Sequence, residues 1–202
     1  MVITYEVGDG LYVNVTNRCT NSCSFCVRSV ADGTYGSLWL EREPTVEEIL
    51  SDIFAREPEN YSELVFCGYG EPTVRFYDII RIALSVKERY PQMKIRLNTN
   101  GHACLILGKD VTPLLRGAID NVSVSLNTAS AADYERVCAP CFAGAYEGLL
   151  EFAGRAKAYT NVMFSVVRGS IPDCDIERCQ AIADEMQITL KVREMITDGE
   201  NN

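Results

Sequence analysis

The chain has 202 residues, of which 47% are hydrophobic and 23% charged; this suits one globular domain and excludes a disordered or coiled-coil chain. Nineteen basic against 28 acidic side chains give a net charge of −9, so neither nucleic acid nor an anionic membrane is expected as a partner. Nine cysteines and one histidine, His102, argue against a histidine-ligated metal and leave one histidine as a candidate general base.

The cysteines are expected to be reduced. Residues 1–10 lack the basic start, apolar core and cleavage site of a signal peptide, and no run reaches the ~18 apolar residues of a membrane helix. We therefore expect a cytoplasmic protein without membrane association, in which thiols stay free. An odd number of cysteines suits no complete set of disulfides, which leaves metal binding, redox chemistry or burial.

Short strands and amphipathic helices alternate along the chain. The pattern is clearest after the first strand, where apolar residues recur at helical spacing from Val46 to Phe54, and Thr45 with Glu48 predicts a capping box. Strands are predicted at 11–16, 63–67, 94–98, 121–126, 162–167 and 188–193. Helices are predicted at 45–56, 76–90, 112–116, 131–137, 146–159 and 176–186.

Six such units predict a single α/β domain over residues 1–202, with parallel strands joined by right-handed crossovers. An open doubly wound sheet and a barrel both satisfy this alternation. A closed barrel of eight units needs about 250 residues, so an incomplete barrel is favoured. Either architecture places reactive groups at the carboxyl ends of the strands. Polar or glycine-rich segments follow these ends, at 17–26, 67–73, 98–102, 125–128, 168–169 and 193–194.

Three cysteines lie within eight residues on the loop after the first predicted strand. Cys19, Cys23 and Cys26 are separated by three and two residues, so their thiolates can converge on one centre. Soft thiolates select zinc, Cu(I) or iron–sulfur. A structural zinc needs four ligands, whereas a four-iron cluster held by three cysteines keeps one iron open for another ligand. Three packed or surface thiols are the alternative.

These residues, with two further segments, resemble the radical S-adenosylmethionine (radical SAM) superfamily. Cys19, Cys23 and Cys26, with the aromatic Phe25, resemble its cysteine signature. Gly68-Tyr69-Gly70-Glu71-Pro72 is similar to its GGEP motif, and Asn98-Thr99-Asn100-Gly101 is similar to its T-N-G segment. The resemblance covers about residues 11–194. It implies a partial (βα)6 barrel of the TIM type, a [4Fe–4S] cluster on the three cysteines, and S-adenosylmethionine (SAM) on the fourth iron.

The resemblance also implies a set of cofactor contacts. Gly68 and Gly70 would let the backbone approach the methionine amino group; Glu71 would accept a hydrogen bond there, or organise the turn before Pro72. Phe25 would pack near the adenine or shield the cluster. The remaining contacts are Tyr69, Asn98 and Asn100 within the motifs, Ser125 and Asn127 at the ribose, and Arg168 at the methionine carboxylate or in a rim salt bridge.

The implied reaction needs no catalytic side chain. An external one-electron donor would reduce the cluster, SAM would be cleaved, and a 5′-deoxyadenosyl radical would abstract hydrogen from an unknown small-molecule or protein substrate. Three alternatives remain open: a non-catalytic iron–sulfur or SAM-binding partner, an activating enzyme like those of glycyl-radical proteins, and a deazaguanine-type synthase.

A finer resemblance, to the small TatD-associated radical SAM proteins, lies in the long loop 27–43. It rests on Cys26-Val27-Arg28, Gly36-Ser37-Leu38-Trp39-Leu40, Glu43-Pro44-Thr45 and Phe66-Cys67-Gly68. It implies an association with a TatD-type hydrolase and no particular substrate. The loop is interpreted as a lid or partner surface, or as a segment that Leu38, Trp39 and Leu40 anchor on the barrel.

The other six cysteines are interpreted mainly as packing residues. Cys67 ends a buried strand and Cys104 lies in an apolar stretch, so both are expected to be buried or close behind the site. The remaining four offer a second cluster or a zinc site as an alternative to packing. They are Cys138, Cys141, Cys174 and Cys179.

Overall fold

A computed structural model describes residues 1–29 and 38–195. The strands are β1 (Thr4–Val7), β2 (Gly10–Val13), β3 (Glu63–Phe66), β4 (Ile95–Thr99), β5 (Asn121–Ser125), β6 (Asn161–Val167) and β7 (Thr189–Arg193). The α-helices are α1 (Val46–Ala55), α2 (Phe76–Arg89), α3 (Ala103–Leu107), α4 (Ala131–Cys138), α5 (Ala145–Ala156) and α6 (Asp173–Glu185). Short 3₁₀ turns lie at Val27–Ser29, Pro58–Asn60, Pro72–Arg75 and Thr112–Leu115.

All seven strands form one sheet in chain order, β1 to β7. Strands β2 to β7 are parallel, and no pairing between described residues closes β7 onto β1. The predicted α/β fold, a six-unit incomplete barrel, is therefore confirmed. The single domain over residues 1–202 stays a prediction.

The N-terminal strand β1 was not predicted. It pairs antiparallel with β2 through a two-residue loop that begins at Gly8, whose φ of +60° is the conformation that such tight hairpins use. The helix predicted at 112–116 is a 3₁₀ turn, and the five-residue helix α3 precedes it. The left-handed Gly108, at φ +65°, ends α3 early.

The two faces of the sheet differ in chemistry because successive side chains point to opposite sides. Apolar residues of one face pack against the helices and are fully buried; among them are Leu11, Leu64, Ile95, Val122 and Phe164. The opposite face, here called the inner face, carries Asn98, Ser123, Ser125 and Ser165, and Asn98 pairs with Ser123 as Ser125 does with Ser165. A polar inner face therefore lies below the carboxyl ends of the parallel strands.

The strongest helix signal in the sequence, the capping box at Thr45, correctly predicted the start of α1. Thr45 caps α1, and both hydrogen bonds of the predicted capping box with Glu48 are present. No helix within residues 1–29 and 38–195 is long and apolar enough to cross a membrane.

Candidate cluster and cofactor site

The three cysteines of the signature lie on the loop that follows β2. Cys19 is exposed and Cys23 and Cys26 are half-buried, all as free thiols. A backbone bond of 3.2 Å from Cys26 N to Cys23 O forms a tight turn. Across the described parts of the chain, no three His, Cys, Asp or Glu side chains are placed to hold a metal. Three soft thiolate ligands fit an iron–sulfur cluster. The three side chains would converge when the metal binds, because metal binding orders its own ligands.

The cysteine loop is fixed by backbone hydrogen bonds to the last turn of α4 and the residues that follow it. Ser24 N donates to Val137 O at 2.9 Å, and Ser22 N donates to Cys138 O at 2.9 Å. Cys141 N donates to Thr20 O at 2.8 Å. We call these three bonds between 20–24 and 137–141 the backbone clasp. They place Cys138 beside the signature cysteines.

Asn127 Nδ2 donates to Cys138 Sγ at 3.5 Å. The neighbouring Cys138 thiol and burial raise the pKa of the Cys23 thiol, and the Cys23 thiol lowers the pKa of Cys138. Desolvation raises the pKa of Cys19 to about 11. The Cys19 and Cys23 thiols are therefore protonated at neutral pH until a metal displaces the protons.

Side-chain hydrogen bonds form a second set of contacts to the cysteine loop. His102 is fully buried; its Nδ1 lies 3.0 Å from Thr20 Oγ1 and its Nε2 lies 3.3 Å from Tyr134 OH. Asn100 Nδ2 donates to Thr20 Oγ1, and Asn21 Nδ2 donates to Tyr134 OH. Burial lowers the pKa of His102 to about 4, so the imidazole is neutral at pH 7. His102 thus supports the loop, and its enclosure argues against the general-base role considered from the sequence.

The glycines of the second motif allow two loops to meet. A Cβ atom at Gly68 would lie 2.1 Å from Asn14 Oδ1, and one at Gly70 would lie 2.3 Å from the Thr16 carbonyl oxygen. The sequence suggested that these missing Cβ atoms open space for a ligand. In the structure the space is filled by Asn14, Thr16 and Arg18, which follow β2.

The Glu71 carboxylate accepts hydrogen bonds from neighbouring protein groups. Its Oε1 accepts from Thr73 N, Thr73 Oγ1 and Thr99 Oγ1 at 2.9, 2.6 and 2.7 Å, and its Oε2 accepts from Asn100 N at 2.7 Å. Burial raises the pKa of Glu71, against the opposing effect of these hydrogen bonds. In this structure Glu71 therefore organises the turn before Pro72, as the second of the two interpretations from the sequence expected.

The other predicted cofactor residues divide between the inner face and the rim. Asn98 Oδ1 is buried and without a hydrogen-bond partner, as is Ser165 Oγ, which sequence analysis did not single out. Ser125 is half-buried between them. Asn100 instead bonds Thr20 of the cysteine loop, and Asn127 bonds Cys138 at the end of α4. The unpartnered oxygens on the inner face fit a polar ligand such as a nucleoside.

Arg168, Phe25 and Tyr69 have protein partners. The Arg168 guanidinium, 47% exposed, bonds Asp173 at 3.0 Å and Glu194 at 3.2 Å, which is the rim salt bridge of the alternative interpretation. Phe25 is half-buried against the core. The Tyr69 ring lies 6.3 Å from the ring of Trp39.

The described end of the long loop is anchored on the barrel. Asn14 Nδ2 donates to Leu38 O at 2.6 Å and Asn17 Nδ2 donates to Leu40 O at 2.7 Å; Leu38 and Leu40 are buried. Trp39 is 55% exposed, so the expectation that it too is an anchor was wrong. Residues 30–37, including Gly36 of the finer resemblance, lie outside the described residues.

Among the described residues the remaining cysteines, like the signature cysteines, are not gathered into a group that could hold a metal. Cys138 and Cys141 lie at the backbone clasp, Cys174 is exposed on α6, and Cys179 is fully buried in the core. Cys104 was expected to be buried and is half-buried, as is Cys67.

These elements define a class of protein. The family model described as the radical SAM superfamily matches residues 13–180, and the chain belongs to that superfamily. Membership implies a [4Fe–4S] cluster and SAM, whose ligands the cysteine loop and inner face are suited to provide.

Several known proteins are similar to this chain. Molybdenum cofactor biosynthesis protein 1 of Drosophila melanogaster is 30% identical over 132 residues, covering 63% of this chain and 21% of that protein. A probable GTP 3′,8-cyclase of Methanosarcina acetivorans is 31% identical over 147 residues, covering 70% of this chain and 38% of that protein. This chain thus spans less than two fifths of either curated relative.

Among solved structures, Streptococcus suis SuiB bound to S-adenosylmethionine superposes with a TM-score of 0.65. The two are 16% identical, and the match covers 96% of this chain and 40% of that one. At this identity the likeness shows the fold alone.

Replacing Gly70 by Ala should destabilise the protein, because the new Cβ would overlap the carbonyl oxygens of Thr16 and Arg18 at 2.3 and 2.6 Å. We expect a loss of roughly 1–3 kcal/mol in the free energy of unfolding, measured by urea denaturation of the reduced, cluster-free chain. Gly154→Ala in α5 is the matched control: its Cβ meets only Met186 Cε at 3.7 Å, so a gain of about 0.5–1 kcal/mol is expected. Equal effects of the two changes would contradict the packing role.

His102 should make stability depend on pH below neutrality. Its folded pKa of about 4 lies below the ordinary 6.5, so its contribution is complete above pH 6.5 and is lost as pH falls toward 4. Between pH 7 and 5 this amounts to roughly 2 kcal/mol. Urea titrations of the cluster-free wild type and His102→Gln at both pH values measure it. Since the chain has one histidine, a variant with the same pH slope as the wild type would refute this assignment.

Proposed function

We propose that this chain is a radical SAM enzyme that acts on a substrate still to be identified. The observation that carries the proposal is the three-thiol loop at the carboxyl end of β2, placed beside the inner face. Cys19, Cys23 and Cys26 would ligate three irons of a [4Fe–4S] cluster and leave the fourth for the amino and carboxylate groups of SAM. When reduced by an external electron donor, the cluster would supply the electron that cleaves SAM to a 5′-deoxyadenosyl radical.

The chain's own residues would then bind and orient the cofactor. Asn98, Ser125 and the unpartnered Ser165 offer hydroxyl and amide groups to a ribose from the inner face. The backbone of 68–71 would meet the methionine amino group, with Tyr69 covering it at the rim beside Trp39. Phe25 would shield the cluster from water. These roles keep cofactor and substrate in contact and exclude solvent.

Two contacts proposed from the resemblance would require rearrangement. Arg168 would have to exchange its bonds to Asp173 and Glu194 for the methionine carboxylate. Asn127 would reach a ribose only by giving up Cys138. We therefore propose Asn98 and Ser125 as the residues that contact the ribose.

The substrate class stays open. GTP is the first compound to offer, because a curated relative is a probable GTP 3′,8-cyclase, although this chain spans 38% of it. A protein substrate, as for activating enzymes of glycyl-radical proteins, and a deazaguanine-type precursor are the other classes to test. The TatD-associated resemblance adds a TatD-type hydrolase to the partners to be sought. Transfer of deuterium from a labelled compound into 5′-deoxyadenosine would identify the molecule that loses hydrogen.

Anaerobic reconstitution tests the proposal. With iron and sulfide we expect about four irons per chain, and with dithionite and SAM we expect 5′-deoxyadenosine. Cys19→Ala, Cys23→Ala and Cys26→Ala should each abolish the cluster absorbance and cofactor cleavage. Cys174→Ala, which removes another exposed thiol, should keep both.

The alternatives give different results in the same experiment. A cluster that binds SAM without cleaving it would indicate the non-catalytic partner protein. Zinc bound with no iron would exclude both the enzyme and that alternative.

A further inference from the structure

Strand β7 carries two exposed cations on the inner face of the sheet. Leu190 and Val192 pack against the core, so the alternate side chains, among them Lys191 and Arg193, point to the opposite face, which is the inner face. Both cations are exposed, and neither side chain has a hydrogen bond or an ion pair with any described residue. Lys191 pairs in register with Ser165 of β6, whose side-chain oxygen is buried and unpartnered.

The charge at β7 is opposite to that of the whole chain, which is −9. Strands β5, β6 and β7 contain no acidic residue. At the neighbouring rim, Asp173 and Glu194 are bonded to Arg168. Two like charges on one strand repel each other, and an anion placed between them removes that repulsion. This edge of the inner face therefore suits a negatively charged ligand.

We propose that Lys191 and Arg193 bind a phosphate group of the substrate, so that the substrate of this chain is a phosphate-bearing small molecule. The inference rests on the proposed function, because it takes the inner face as the place where cofactor and substrate meet. It gives a role to two residues that lie outside the motifs.

The register of the sheet connects the two cations with the proposed cofactor site. An exposed lysine alone is an ordinary surface residue, but Ser125, Ser165 and Lys191 stand in one row across β5, β6 and β7. Ser165, in the middle of the row, is 1% exposed and its oxygen has no partner, as expected where a ligand completes the hydrogen bonding.

The length of this row matches a small molecule. Neighbouring strands are about 4.8 Å apart, so Lys191 lies roughly 10 Å across the sheet from Ser125, which is proposed to contact the ribose. The radical of the proposed reaction forms on that ribose, so the reacting carbon of the substrate must lie beside it. A molecule of nucleotide size can place that carbon at the ribose and its phosphate at Lys191.

Two neighbouring cations favour phosphate over a single carboxylate. Lys191 and Arg193 are two residues apart on one face of a strand, which separates them by roughly 7 Å along it. A phosphate monoester carries about −1.5 to −2 charge at neutral pH and can contact both, whereas a carboxylate carries one charge. The guanidinium of Arg193 can bind phosphate oxygens as a fork, and the ammonium of Lys191 as a point charge. The carboxylate of SAM is already proposed as a ligand of the fourth iron.

The test compares phosphate binding by the reconstituted wild type, Lys191→Met and Arg193→Met. Equilibrium dialysis with radiolabelled inorganic phosphate, at constant ionic strength, measures Kd. Each change should raise Kd about tenfold, as for the loss of one hydrogen bond to a charged group. Lys94→Met is the matched control, because it removes an exposed lysine just before β4, at the amino end of the sheet, and its Kd should equal that of the wild type.

Malonate, which like phosphate is mainly a dianion at about pH 8, tests the kind of anion. We expect it to bind the wild type more weakly than phosphate does. Malonate binding as tight as that of phosphate, with the same losses in the two β7 variants, would overturn the phosphate assignment in favour of a carboxylate. Equal Kd values for phosphate in all four proteins would overturn the proposal as a whole.

Addition of SAM distinguishes the substrate from the cofactor as the source of the anion. The Kd of the wild type for phosphate should not rise when SAM is added, since the two would bind side by side. Displacement of phosphate by SAM would assign the cations to the cofactor carboxylate and overturn the proposal. If the wild type forms no 5′-deoxyadenosine with SAM and dithionite, the proposed function fails, and the Kd values decide separately whether this edge binds phosphate.

Discussion

The candidate site depends on hydrogen bonds that fix one irregular loop. Backbone N–H and C=O groups that are buried outside a sheet need other partners. The cysteine loop finds them in the backbone clasp, more than 110 residues further along the chain. Its side chains find others in Asn100, His102 and Tyr134. The ligands of the proposed cluster can therefore be placed only when β5 and α4 are in place.

This dependence runs in both directions. Because Cys19 and Cys23 are protonated and the three thiols are not drawn together in the chain alone, cluster binding must supply free energy to order them. A ligand that binds only the folded chain stabilises it by the same free energy. The fold and the cluster thus support each other, and the clasp is the structural link between them.

The glycine-rich motif shows why a motif residue does not always touch a ligand. Gly68 and Gly70 are required by the neighbouring strand end, and Glu71 is fully occupied by Thr73, Thr99 and the backbone of Asn100. These residues join the ends of β2, β3 and β4. A motif of this kind marks the place of a site through the loops that it holds together, while backbone groups remain for the cofactor.

The sequence was informative where the signal is local. Alternating periodicities predicted the six parallel strands, and the capping box at Thr45 predicted the start of α1 within one residue. Strand β1 lies at the edge of the sheet and only Thr4 of its four residues is buried, so it carries no buried apolar face to show a period. Helix α3 has only five residues, too few to show a helical period. The residue spacing also predicts that Cys19, Cys23 and Cys26 act together as ligands, and this stays a prediction.

The clasp had no comparable signal, because backbone hydrogen bonds between distant segments leave no pattern in side-chain type. The cysteines at 138 and 141, with those at 174 and 179, offered a second metal site as an alternative to packing. The fold uses the segment 137–141 to hold the first loop. Only a three-dimensional structure relates Cys138 to Cys23, since 114 intervening residues separate them in the sequence.

Hydrogen bonding distinguishes the polar residues that support the cysteine loop from those that are available to bind a ligand. At the rim, Glu71, Asn100, His102 and Thr20 bond one another. On the inner face, Asn98 Oδ1 and Ser165 Oγ are buried without partners, and each such group costs about 1–3 kcal/mol unless something bonds it. Asn14 Oδ1 and Asn21 Oδ1, close to the cysteine loop, are unpartnered as well, so it is the shared position of Asn98 and Ser165 on the inner face that suits them to a polar ligand. The scarcity of histidine agrees with this division, because the one imidazole is neutral and enclosed within the support, and the chemistry is left to what the cysteines and the inner face bind.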